Sequence, residues 1–273
     1  GLVPFHLYDY QSNIVDIVHN NRFVIAKLPR QSGKSTTIIA YILHYVLFNQ
    51  NMSVAVLANK QSTAKDILGR LRLAYEYLPK WLQQGIIEWN KGSIELENGS
   101  KILASSTSAS AVRGGSYNMI FLDEFAHVPT SIADEFFSSV YPTITSGQTT
   151  KVLMVSTPHG LNMFYHYWRG ATKEAGEPGK NDYIPIEVQW TQVPTYPGGP
   201  LRDEKWKQET IANTSEDQFK SEFECDFVGS SATLISSSKL HALSWISPKI
   251  KNKDGLWIYE EPKEDHTYYI TVD

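Results

Sequence analysis

Residues 22–35, Arg-Phe-Val-Ile-Ala-Lys-Leu-Pro-Arg-Gln-Ser-Gly-Lys-Ser, decide the fold. Positions 22–27 read as a short strand, and a helical pattern opens at about Lys34 and runs to Phe48. Between them lies half of a P-loop motif. Such a loop wraps phosphate oxygens with backbone N–H groups at a helix N-terminus, where the dipole favours negative charge. Gly33 lets the backbone come close, Lys34 supplies a cation for the β- and γ-phosphates, and Ser35 is placed to ligate Mg²⁺. Arg30, Gln31, Ser32 and Thr36 complete the expected ATP-binding set. The motif departs from the usual pattern at its first glycine, whose place is taken by Leu28.

Outward from the motif, apolar runs alternate with helix-period segments. Strands are expected at 53–58, 119–122 and 151–155. The segment 61–77 is helical, with Ile67, Leu68, Leu71, Ala74 and Tyr75 on one face. Residues 86–102 read as hairpin strands turning at Asn98-Gly99, a favoured two-residue turn. This alternation predicts an α/β fold whose mostly parallel sheet is flanked by helices on both faces. With the P-loop at its centre, the class is a P-loop NTPase of the ASCE type.

Met119-Ile-Phe-Leu-Asp-Glu124 is an apolar strand ending in two acids. A buried strand that delivers Asp123 to its C-terminal end can hold Mg²⁺, and the adjacent Glu124 can polarise an attacking water. Acid pairs also end strands as plain polar turns, and the P-loop upstream is what favours the catalytic assignment. Val155-Ser-Thr-Pro158 follows the strand at 151–155. Ser156 or Thr157 would stand beside the acidic strand end and sense the γ-phosphate, unless the segment is simply a Ser/Thr turn stopped by Pro158.

Two arginines compete for the transition-state role. Arg30 lies inside the P-loop, whereas Arg113 sits on a glycine-flexible loop from which it could reach a neighbouring subunit's nucleotide. Tyr8, Tyr10 and Gln11 precede the P-loop strand by a short helix. A glutamine amide can pair with the adenine edge and an aromatic ring can stack on the base, although half-buried tyrosines are commonly structural. The histidines fall into no metal-ligand spacing, and His127, close to the acidic pair, reads as a structural side chain.

The chain has 273 residues, 41% hydrophobic and 20% charged, an ordinary globular composition with enough apolar material for a sizeable core. The lone Cys225 excludes an internal disulfide and fits a reducing compartment. A net charge of −4 argues against a tight constitutive nucleic-acid binder, but not against a motor that grips and releases DNA. The start lacks a secretory-leader pattern, and the longest apolar run, 38–48, contains His44 and is too short for a bilayer, so no membrane partner is expected.

Near Gly170 the character changes, with Gly-, Pro- and Lys-rich loops at 170–182 and 194–200 and an amphipathic helix at about 203–210. The expected organisation is an ATPase core over 1–170 and a small regulatory or transmission subdomain over 171–248, which could include part of the N-terminus. Residues 249–273 would be a linker leading into a further strand at 267–273.

Taken in order, these elements resemble the large terminase subunit of tailed bacteriophages, particularly of the T-even type. The matching stretches are Tyr10-Gln11, Arg30 to Ser35, Gly85-Ile-Ile-Glu-Trp-Asn-Lys-Gly-Ser-Ile-Glu-Leu96, Arg113-Gly114, Met119 to Glu124 and Ser156-Thr-Pro158. The match continues through Gln218-Phe219 and Thr233-Leu-Ile-Ser236. The stretch from Gly85 to Leu96 is no generic ATPase motif and carries much of the specificity.

The resemblance implies an ATP- and Mg²⁺-dependent motor that moves double-stranded DNA into a preformed capsid. It would form a homo-oligomeric ring on the portal protein, with the isolated domain allowed as a monomer, and would work with the small terminase subunit. Its place would be the host cytoplasm, docked transiently on proheads. Tyr10 and Gln11 match the adenine-binding pair, Asp123 the metal-binding acid and Glu124 the catalytic glutamate. Ser156 and Thr157 match a coupling motif whose first position here is Val155. Members of the family continue into a nuclease whose first strand ends in a metal-binding aspartate. Asp273 would be that ligand in a chain truncated at the boundary, and no nuclease activity is expected of it. A helicase or repair translocase, and an ATP-gated assembly scaffold with little turnover, share the same motifs and stand as alternatives.

Overall fold

The computed structural model describes residues 5–108, 110–112, 115–146, 149–227, 249–251 and 257–259. Eight strands build its main sheet: β1 (Phe23–Lys27), β2 (Ser53–Ala58), β3 (Ile86–Trp89), β4 (Ser93–Leu96), β5 (Lys101–Ser106), β6 (Met119–Asp123), β7 (Lys151–Ser156) and β8 (Ile184–Glu187). Their order across the sheet is β3-β4-β5-β2-β6-β7-β1-β8. From β5 to β8 every neighbouring pair is parallel, and only the β3-β4-β5 edge is antiparallel. Thus β7 lies between β1, which feeds the P-loop, and β6, which ends in the acids. That inserted strand bears out the ASCE-type α/β class.

Strand periodicity explains the two layers. On one face Val24, Ala26, Val54, Val56, Met119, Phe121, Leu153 and Val155 join a core completed by helices α1 (Asp9–Asn20), α2 (Lys34–Phe48) and α3 (Gln61–Glu76). On the other, Ile25, Ala55, Leu57, Ile120, Leu122, Val152 and Met154 pack under α4 (Thr130–Ser146) and α5 (Met163–Ala171). Because 119 and 121 face α2, position 123 does so as well, which sends the Asp123 side chain toward the P-loop helix.

Several elements differ from expectation. The 86–102 region makes two turns rather than one. Asn90 Oδ1 accepts from the N–H groups of Gly92 at 2.7 Å and Ser93 at 2.9 Å, an Asx turn that opens the first. The second is the expected Asn98-Gly99 turn, with Gly99 at φ 80°. After it the chain runs on as β5, a parallel partner of β2, and so ties the hairpin to the core. Helix α4 is held by Ala133, Phe136, Phe137, Val140 and Ile144, a helical spacing that outweighs its Ser- and Thr-rich composition.

The boundary expected at 170 coincides with no break in the sheet, since β8 pairs with β1 from Val24↔Ile184 to Lys27↔Glu187. Past β8, α6 (Glu204–Asn213) and α7 (Glu216–Glu222) are capped by Asp203 and Ser215. Their aromatic cluster is Trp190, Trp206, Phe219 and Phe223. Separately, β9 (Ile250–Lys251) and β10 (Trp257–Ile258) pair antiparallel. The segments 233–236 and 267–273, with Asp273, lie outside the described residues.

Helix α1 is fastened to the sheet by charge as well as by burial of Ile14 and Val18. Lys151 Nζ donates to the carbonyls of Val18, His19 and Asn21 at 3.1, 2.8 and 2.9 Å, where a cation suits the helix C-terminus. Lys151→Met is expected to lower the unfolding free energy by about 1–3 kcal/mol in urea titration. A loss near zero would mean that water replaces the ammonium at those carbonyls without cost.

Candidate functional site

The ends of β1, β6 and β7 stand level, with Lys27 opposite Ser156 and Asp123 opposite Val155. All the sheet-borne candidates therefore meet at one edge, with the N-terminus of α2 above them. The P-loop conformation follows from what grips its carbonyls. Arg202 donates to Arg30 O at 3.2 Å and to Gln31 O at 3.5 Å. The Tyr10 hydroxyl donates to Ser32 O at 2.9 Å and the Gln11 amide to the same oxygen at 3.2 Å. A trans peptide is planar with C=O and N–H on opposite sides. Holding the carbonyls of 30, 31 and 32 outward thus turns the N–H groups of Gln31, Ser32 and Gly33 inward, where an anion would lie.

Gly33 caps α2 at φ 70°, and a Cβ there would come 2.6 Å from Gln11 Nε2. The glycine is needed both for the left-handed backbone and for the close approach of Gln11. The missing glycine at 28 has a simple answer: Leu28 is buried in the core beside α2, and its N–H donates to Ser156 O at 3.1 Å. Thr37, rather than the exposed Thr36, closes the first turn of α2 through Gly33 O.

Lys34 Nζ pairs with Glu124 Oε1 at 2.8 Å. The other carboxylate oxygen, Oε2, lies 3.4 Å from Ser156 Oγ and 3.5 Å from Thr157 Oγ1. Burial works to raise the Glu124 carboxyl, but the Lys34 ammonium beside it overcomes this and holds it below the usual carboxylate range. Glu124 itself is in the left-handed region at φ 50°, a conformation of sparse population that turns its side chain off the strand. Asp123 behaves oppositely. Burial, and then the neighbouring Glu124 charge, push its carboxyl from 3.8 up to about 7. Ser35 donates a hydrogen bond to it, while Asp123 Oδ1 is buried with no hydrogen-bond partner. A buried orphan carboxylate oxygen beside a hydroxyl is a donor set suited to a hard cation, so these residues fit Mg²⁺.

The geometry brings together Lys34, Ser35, Asp123, Glu124, Ser156 and Thr157. Arg30 is nearby but turned outward, its guanidinium paired with Glu222 at 2.7 Å and its N–H bonded to Glu222 O at 2.7 Å. Tyr10 and Gln11 lie behind the loop. Tyr10 stacks on Tyr8 with centroids 5.8 Å apart, and both polar ends of the Gln11 amide are engaged, Oε1 by Tyr8 N–H and Nε2 by Ser32 O. Arg113 and Gly114 lie outside the described residues.

Three further residues touch these groups: Arg202 and Glu222, which sequence reasoning passed over, and His127, which it read as a structural side chain. Arg202 is 3% exposed, its guanidinium 4.5 Å from the Trp206 ring centroid and 5.4 Å from that of Phe223. Glu222, the Arg30 partner, is likewise remote in sequence, and neither carried a local signal. His127 did, through its spacing of three from Glu124. Its Nε2 is 3.2 Å from Thr157 Oγ1 and 3.8 Å from Glu124 Oε2, and its ring stacks on His159 at 4.6 Å.

Comparison with known proteins bears on the family and the fold. The family described as terminase large subunit, T4-like-virus type, N-terminal, matches residues 25–242. The large terminase subunit of Escherichia phage T5 is 33% identical over 211 residues, 76% of this chain and 44% of that protein. That of Thermus virus P23-45 is 26% identical over an alignment of 295 positions, covering 98% of this chain and 59% of that protein. The chain thus spans about half the length of these curated relatives. Among solved structures, an ATPase domain of the Thermus phage P74-26 large terminase superposes with TM-score 0.63 at 21% identity, over 84% of this chain and 96% of that one. The large terminase of bacteriophage HK97 gives 0.64 at 17%, over 82% and 51%. At those identities the two structures speak for the fold.

The raised Asp123 carboxyl makes stability depend on pH. A folded-state value above the unfolded one stabilises below about 4 and is lost as pH rises through about 7. At pH 8, Asp123→Asn is therefore expected to unfold at higher urea than the parent, by on the order of 1–4 kcal/mol. The gap should narrow as pH falls through 7 and be smallest below 4. A difference independent of pH would show that Asp123 is ionised without penalty.

Proposed function

We propose, from the premise that this chain belongs to the T4-like-virus type of the terminase large subunit family, that it is an ATP-hydrolysing motor for packaging viral DNA. One observation carries the chemistry: Lys34, Ser35, Asp123, Glu124 and Thr157 converge under a loop whose N–H groups are turned inward. Those N–H groups and Lys34 would take the β- and γ-phosphates of ATP. Ser35 and Asp123 would hold Mg²⁺, which supplies charge neutralisation for the phosphate oxygens. Phosphate competes with Glu124 for the Lys34 ammonium, so substrate binding releases the carboxylate. The released Glu124 carboxylate then accepts a proton from water as the water oxygen bonds to the γ-phosphorus. The bond to the β–γ bridging oxygen breaks, and ADP and phosphate leave.

Tyr10 and Gln11 are the adenine-side residues of this reading. Since both ends of the Gln11 amide are engaged within the protein, base recognition exchanges one of those bonds and so couples adenine to the loop carbonyl of Ser32. Arg30 would move from Glu222 to the γ-phosphate of its own site, and Arg113 would serve a neighbouring subunit. Segment 171–248 would transmit closure of the site to DNA. Its supports are the Arg202 and Glu222 contacts to the P-loop.

The partners in this reading are double-stranded DNA, a portal protein, a small terminase subunit and further copies of the chain in a ring, on proheads in the host cytoplasm. No DNA cleavage of its own is assigned to it, and metal-dependent nicking of plasmid by the pure protein would overturn that assignment.

Glu124→Gln is expected to lower steady-state ATP turnover at least ~100-fold while ATP binding persists in calorimetry. Arg113→Ala should be equally slow alone, and mixing the two proteins should restore part of the activity if sites are shared between subunits. Full activity of Glu124→Gln would remove the catalytic assignment. Failure of the mixture would confine Arg113 to its own chain or the isolated domain to a monomer.

A further inference from the structure

The His127 imidazole lies where the proposed chemistry needs order rather than charge. Glu124 is ion-paired with the Lys34 ammonium at 2.8 Å, and a carboxylate in such a pair accepts hydrogen bonds. Its Oε2 faces the Thr157 hydroxyl, and the Thr157 backbone N–H also donates to the carboxylate. A hydroxyl has one proton to give. If Thr157 gives it to Glu124, Thr157 Oγ1 is left as an acceptor for His127 Nε2, 3.2 Å away. The polarity that also uses the Thr157 hydroxyl on Glu124 runs from His127 Nε2–H to Thr157 Oγ1–H to Glu124 Oε2. The ring is fixed at both ends of this geometry. It hangs from the 3₁₀ turn Phe125–His127, directly after Glu124, and stacks on His159, two residues beyond Thr157.

We propose that His127 is a positioning residue for hydrolysis, acting through Thr157 to aim the Glu124 carboxylate at the attacking water. This rests on the ATPase reading above. Without the imidazole donor the Thr157 hydroxyl is free to rotate toward other acceptors, and Glu124 keeps its charge but loses its aim. Because the linked partner is on β7's end, the same chain ties the hydrolytic group to the strand inserted between the P-loop strand and the acidic strand. Burial depresses the His127 pKa against the opposing pull of Glu124. The charged and titratable groups facing it are Glu124, His159, Lys34 and Glu222.

The test combines kinetics with a spectroscopic reading. His127→Ala is expected to lower kcat about 10- to 100-fold with the KM for ATP unchanged. His127→Gln, whose amide nitrogen can reach the Nε2 position, should recover most of that loss. The double variant His127→Ala/Thr157→Val should be no slower than Thr157→Val alone, since both cut the same chain. Imidazole nitrogen-15 shifts of the wild-type protein should report the Nε2–H tautomer of His127 and change in Thr157→Val. Unchanged kcat in His127→Ala, a loss confined to KM, multiplicative losses in the double variant, or an Nδ1–H tautomer would each overturn the proposal. Absence of ATP turnover in the wild type would instead remove the functional reading, while the tautomer and its response to Thr157→Val would still decide the chain. Should His127→Ala fail to fold, the Gln variant and the nitrogen shifts decide it.

Discussion

Three peptide carbonyls, those of Arg30, Gln31 and Ser32, are fixed from behind by Arg202, Tyr10 and Gln11, and the rest of the site depends on that grip. A phosphate-binding loop has few contacts of its own to hold a shape in which successive N–H groups converge. Gln31 sits at φ 59°, a conformation that costs a non-glycine residue on the order of 1 kcal/mol or more. Outside support outweighs that cost. It also explains how a loop with Leu28 in place of its first glycine keeps the geometry: the leucine anchors the loop's entry in the core, and the conformational demand falls on Gln31 and Gly33 instead.

Around this cradle, adjacent carboxylates are given opposite electrostatic tasks. Asp123 points back under α2 into a dry site, where ionisation is disfavoured until a cation arrives. Glu124 turns the other way and is kept ionised by Lys34. Residues one apart on a strand face opposite sides, and the left-handed turn at Glu124 widens the divergence. Separating two neighbouring acids in this way is a general route to distinct roles for identical groups. In the proposed reaction it also makes Lys34 the hinge of the site, since the ammonium that pairs with Glu124 would serve phosphate instead.

Much of this was legible in the sequence because it rests on local order. The strand–loop–helix at 22–48, the strand ending at Asp123 and the Ser156-Thr157 turn each declare themselves within a few residues, and strand parity gives the direction of Asp123. What was not legible depends on contacts between distant segments. Arg202 and Glu222 reach the P-loop from 172 and 192 residues away, and nothing in their own neighbourhoods marks them. Helix α4 is composed of weak helix formers, and its apolar stripe alone decides it. His127 is an intermediate case. Its distance from Glu124 is local, but its meaning comes from Thr157, brought alongside by the β6–β7 pairing.

The attachment of α6 and α7 to the P-loop divides into a permanent and an exchangeable part, and magnitudes decide which is which. The most visible contact is the Arg30–Glu222 ion pair, but the Arg30 side chain is largely exposed, and such a pair contributes about 0–1 kcal/mol. By contrast, Arg202 is buried against Trp206 and Phe223 and donates to two loop carbonyls. Removing a buried charge of that kind from its partners costs several kcal/mol. The 2.7 Å bond from Arg30 N–H to Glu222 O adds a backbone link that no side-chain motion breaks. The joint therefore survives when the Arg30 guanidinium leaves Glu222 for another anion. An arginine held at its backbone and loosely paired at its tip can change partners within the site while the helices stay docked, and any change in the loop's carbonyls is passed to them through Arg202.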